Sequence, residues 1–172
     1  MNKTLTALTL ISVFMAGAAQ ANDHSATVSI NGSITGDKTG CSVSTSKDTL
    51  TLSGQLADLP TQGENAIAPA SLTYSIVSEG ESCFDKIALV LHGEADNADG
   101  TTLANTDTSP ESAKGIGIGV FDSNFSPITI NNNKINPMTD INTIYLQAVR
   151  LNGQVPVEGT LHSSLTIDIV RL

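Results

Sequence analysis

The sequence predicts an all-β domain built as a two-sheet sandwich, and three observations carry that prediction. Short runs of alternating polar and apolar residues recur along the chain, each closed by Gly, Pro, Asn or Asp. No stretch beyond residue 21 sustains the 3.6-residue apolar period of a helix. Two cysteines, Cys41 and Cys83, stand alone in a chain that opens like an exported protein, and an isolated pair in an oxidising compartment is expected to form a disulfide.

The export signal is read from residues 1–21. Lys3 gives a short positive region, Leu5 to Ala18 is apolar, and Ala19-Gln20-Ala21 is a small-x-small cleavage site. The apolar run is shorter than the roughly 20 residues that a membrane-spanning helix needs. The mature chain is therefore expected to start at Asn22.

The first strand follows at once. From Ser25 to Ile34 polar and apolar residues alternate, so Ala26, Val28, Ile30 and Ile34 share one face with Gly32 between them, while Ser25, Thr27, Ser29, Asn31 and Ser33 share the other. Such a strand can pair inside its own domain or be handed to another molecule. Further strands are predicted near Cys41 to Ser44, Thr49 to Leu52, Ala70 to Val77, Lys86 to Gly93, Gly115 to Phe121, Pro127 to Ile130, Asn142 to Leu151 and Gly159 to Arg171. Asp96 to Pro110, rich in Asn, Asp, Thr and Ser, is predicted to be an exposed loop. In the last strand Leu161, Ser163, Leu165, Ile167 and Ile169 take one face, and Thr160, His162, Ser164, Thr166 and Asp168 the other.

About 150 residues remain after signal removal, enough for one domain with a real core. Hydrophobic residues make up 40% and the formal net charge is −9, which argues against nucleic acid or an anionic membrane as partner, since both need clustered Lys and Arg. The cysteine spacing excludes a CxxC redox motif, and closing a loop of 42 residues is worth about 4 kcal/mol by the chain-entropy argument. His24, His92 and His162 lie far apart and form no catalytic or metal set, with His162 expected on a solvent-facing side. Asp96-Asn97-Ala98-Asp99-Gly100 has the wrong spacing for a calcium loop and reads as an Asx-rich turn. Gly115-Ile116-Gly117-Ile118-Gly119 lacks the strand-to-helix context of a dinucleotide loop and reads as a strand closely approached by another backbone. No cofactor, metal, nucleic acid or small-molecule substrate is expected, and no enzymatic activity.

Several motifs in order resemble a known family. Thr27-Val28-Ser29-Ile30-Asn31-Gly32 precedes Cys41-Ser42-Val43-Ser44. Cys83 is followed by a strand and then Gly93-Glu94-Ala95-Asp96. Gly117-Ile118-Gly119-Val120-Phe121-Asp122, Gln147-Ala148-Val149-Arg150-Leu151 and a glycine, Gly159, fourteenth from the C-terminus complete the series. Across the whole mature chain this resembles the pilin subunits of chaperone–usher fimbriae, of the type 1-like minor or adaptor kind. It departs at the end, where Arg171 stands in place of the penultimate tyrosine these pilins commonly carry.

The resemblance implies an incomplete immunoglobulin-like sandwich whose open groove is filled by a strand from a chaperone or a neighbouring subunit, a recognised form of strand addition. It divides the chain into a signal (1–21), a donor extension overlapping the first strand (22–36) and a pilin domain (37–172). Ala26, Val28, Ile30, Gly32 and Ile34 would be the donor residues, and burying the three larger ones would contribute on the order of 5–9 kcal/mol. Gly159, Leu161, Leu165, Ile167, Ile169 and Arg171 would line the acceptor groove and meet the chaperone. The implied partners are a periplasmic pilus chaperone, an outer-membrane usher and neighbouring pilin subunits, and the implied destination is a cell-surface fimbrium that contributes to adhesion. The alternative is a secreted β-sandwich binding module, a lectin-like tip component.

Overall fold

The computed structural model describes residues 25–32, 40–80 and 82–172. The predicted export signal, His24 and Ile34 lie outside them. Ten strands and one short 3-10 turn follow in order: β1 (Ser25–Gly32), β2 (Cys41–Thr45), β3 (Thr49–Ser53), the turn Leu56–Asp58, β4 (Ala70–Ser78), β5 (Ile87–His92), β6 (Ile116–Phe121), β7 (Pro127–Ile128), β8 (Lys134–Ile135), β9 (Ile141–Arg150) and β10 (Leu161–Arg171). They form two five-stranded sheets, one ordered β3-β1-β10-β5-β8 and the other β2-β4-β9-β6-β7.

The period-2 patterns place the core. On β10, Leu161, Ser163, Leu165 and Ile167 are buried and the intervening His162 and Ser164 are exposed. Leu72, Tyr74 and Ile76 of β4 and Ile144, Leu146 and Ala148 of β9 supply the facing layer, and one continuous apolar cluster joins both sheets. Every residue of β6 is buried, the mark of a strand covered on both sides. A Cβ at Gly117 would come within 2.9 Å of the Leu103 carbonyl, so the alternating glycines do admit a second backbone, the bridge between Leu103 and Ile118.

Cys41 and Cys83 form the disulfide, with Cα atoms 6.0 Å apart, tying β2 of one sheet to the segment that enters β5 of the other. The predicted strands all occur, most within a residue or two of the expected ends. The run from Pro127 keeps only two residues as strand, and β8 and the 3-10 turn were not foreseen.

The segment from Asp96 to Pro110 is a loop, as expected, and most of it is exposed or half-buried, but three of its residues are not. Asp96, Thr102 and Leu103 are buried, at 6%, 6% and 0% exposure. There the polar groups satisfy one another, so a polar composition does not place all of this segment in water.

Candidate functional site

The first strand occupies a slot between β3 and β10. It runs antiparallel to β3 and parallel to β10, and the latter is the only parallel ladder among the described strands. Ala26 stands opposite Leu161, Val28 opposite Ser163, Ile30 opposite Leu165, and Gly32 opposite Ile167. On the other side Ala26 meets Leu52 and Val28 meets Leu50. Ala26, Val28 and Ile30 retain 3%, 0% and 3% exposure, so the alternation fixes the buried face as the pattern requires. Full burial of Val28 and Ile30 is worth about 3–6 kcal/mol before ordering costs.

In this structure, then, the slot is filled by the chain's own strand, and β1 shares one core with residues 40–172. Of the five residues expected on the donor face, Ala26, Val28 and Ile30 are brought together there with Gly32 in register behind them. Of the acceptor residues, Leu161, Leu165 and Ile167 line the slot. Ile169 is half-buried against the core on the far part of β10, and Arg171 is exposed opposite Ile87 at its end.

Two features make the slot imperfect. Ser163 sits on the buried face of β10 with its hydroxyl unpartnered, a desolvation cost of about 1–3 kcal/mol. Beyond Ala26 the slot widens into a cavity of about 250 Å³, lined by Leu52, Leu56, Leu59, Ala148 and Leu161 beside Ala26. The preceding residues of the chain, Asn22-Asp23-His24, carry no apolar side chain suited to it.

The entrance to β10 is held from its other side. A Cβ at Gly159 would strike the Glu111 carbonyl oxygen and lie 2.5 Å from the Ala113 nitrogen, so only glycine allows residues 111–113 to run against it. The Asn105 side chain completes the brace. Its Nδ2 donates to the Thr160 carbonyl at 3.1 Å and the Ala113 carbonyl at 3.0 Å, and its Oδ1 accepts from the His162 amide at 2.9 Å. The Thr160 hydroxyl donates to the Asp107 carboxylate, and that bond, with the Ser109 amide, holds Asp107 below the usual carboxylate range. Asn105 and Asp107 were not foreseen as site residues. Their partners at the start of β10, Thr160 and His162, lie more than fifty positions downstream, and no local pattern encodes such contacts.

No family model matches the chain, and neither does any curated protein.

What the geometry offers is chemistry of association. Among the described residues, the buried positions of β1, β3 and β10 carry no ionisable side chain. Among the described residues no group of three or more His, Cys, Asp or Glu could hold a metal ion. A second, polar cavity of about 290 Å³ includes Glu94, Asn97, Asn105, Asp107, Lys114 and Gln154. Its amides largely serve the protein: Gln154 donates to Asn97 at 2.6 Å, and Asn105 is committed as described.

Proposed function

We propose that this chain is a structural subunit of a surface fimbria, of the chaperone–usher kind, joined to its neighbours by exchange of the β1 strand. The observation that carries the reading is the slot itself. A strand at the N-terminal end of the described chain, in parallel register with the last strand, supplies a replaceable part of the core. Parallel pairing is slightly weaker per residue than antiparallel, the Ser163 hydroxyl is unsatisfied, and a cavity of about 250 Å³ adjoins Ala26. A strand from another molecule could occupy the same place between β3 and β10. On this reading the sandwich is immunoglobulin-like and incomplete without β1. The donor segment is residues 22–36, and a chaperone or a neighbouring subunit fills the slot during assembly, after export through the periplasm.

The test is removal and replacement. A chain lacking residues 22–32 should fail to fold alone and should recover a cooperative thermal transition when a synthetic peptide of residues 22–36 is supplied in trans. The same peptide carrying Val28→Asp should not rescue it. A truncated chain that folds stably without any peptide would sink the proposal.

A further inference from the structure

We propose that the outer edge of β3 is a pairing surface for a second copy of this chain. A two-sheet protein has four sheet edges, and an unprotected edge invites another strand. Two of the four carry a recognised obstacle. β8 is two residues long, with Lys134 on it and Pro137 just beyond, and β7 is two residues long and begins at Pro127; of the two longer edges, β2 opens at Cys41, which is tied to the segment entering β5. β3 reads Thr49-Leu50-Thr51-Leu52-Ser53, without charge, proline or cross-link.

The phase of its ladder decides which groups it offers. The Ile30 amide donates to the Asp48 carbonyl at 2.9 Å, and β1 and β3 are antiparallel with Val28 opposite Leu50 and Ala26 opposite Leu52. Backbone direction alternates along a strand, so Leu50 and Leu52 turn their amides and carbonyls toward β1. Thr49, Thr51 and Ser53 turn theirs away from the sheet, and all three residues are exposed.

A second copy fits this edge better than an unrelated strand because the sequence is its own complement. Two β3 strands aligned antiparallel about Thr51 put Thr49 opposite Ser53 of the other copy and Thr51 opposite Thr51. These hydroxyl pairs are favourable on a sheet surface, joined by about six ladder hydrogen bonds. The same register sets Asp48 against Gly54 and Lys47 against Gln55, so no like charges face each other although the chain carries net charge −9. A two-fold pairing of this kind closes on itself and gives a dimer with one continuous ten-stranded sheet. It does not depend on exchange of β1.

Sedimentation velocity of the purified protein over a range of concentrations tests the proposal. The expected result is a reversible monomer–dimer equilibrium that Thr51→Pro weakens at least about tenfold, since that substitution deletes an outward amide and no internal ladder bond. Thr51→Lys, which keeps the backbone intact, should weaken it as well, and amide exchange at Thr51 should slow as concentration rises. A protein that stays monomeric throughout, or one whose self-association is indifferent to both variants, overturns the proposal. Association indifferent to Thr51 but abolished by Val28→Asp would overturn it while leaving strand exchange standing.

Discussion

Asp96 accepts hydrogen bonds from the amides of Thr102 at 2.9 Å, Ala98 at 2.8 Å and Asp99 at 3.0 Å, and from the Gln62 side chain at 2.9 Å. Burial alone would raise its pKa, but the donors of Thr102, Ala98, Gly100 and Gln62 outweigh that and hold it below its ordinary value. A lowered folded pKa means stability that is complete above the unfolded value of about 3.9 and is lost as pH falls through the folded one. Asp96→Asn turns an acceptor into a donor facing Gln62 and Thr102, so it should cost about 2 kcal/mol in urea unfolding at pH 7. The variant should also lack part of the wild-type loss of stability below about pH 4. The turn around Asp96 was legible from its Asx-rich composition, whereas its burial was not, because Gln62 lies 34 positions upstream. Gly159 was legible only through the family resemblance; the structure supplies the reason, the backbone of residues 111–113 against its Cα. Gly159→Ala should therefore destabilise by about 2–4 kcal/mol, within the range of strain and overpacking effects, measured by the shift in thermal midpoint.

At the level of elements, β1 shows what alternation can and cannot tell. The pattern from Ser25 onward fixes which face is buried, but a period of two carries no information about which strand lies alongside. Its pairing with β10 spans the length of the domain and depends on the slot left by β3. Short strands with weak patterns, such as β8, were illegible for the opposite reason: two residues hold no period. Val28 is fully buried at the centre of the slot, so Val28→Asp should destabilise the protein by about 3–5 kcal/mol by placing an unpaired carboxylate in the core. The disulfide acts on a different pair of elements, β2 and the entrance to β5. Replacing Cys41 and Cys83 together by Ala should lower stability by about 4 kcal/mol, read from urea unfolding against the oxidised wild type.

For the molecule as a whole, the all-β, two-sheet architecture was legible because its evidence is distributed over many segments, each contributing the same period. The charge balance speaks to solubility and partners and leaves the fold undetermined. The topology sets the speed of folding, since β1 cannot be seated until β10 is present. Non-local all-β domains fold in milliseconds to seconds, and this one should refold at the slow end of that range, as stopped-flow fluorescence or circular dichroism with the disulfide intact can measure. The parallel β1–β10 ladder carries a further consequence for the order in which the chain is made. During synthesis Ser25–Gly32 emerges early and Leu161–Ile167 late, so throughout most of translation the strand that completes the core has β3 alone as its seat. A nascent chain halted before Leu161 should be open to protease along its entire length.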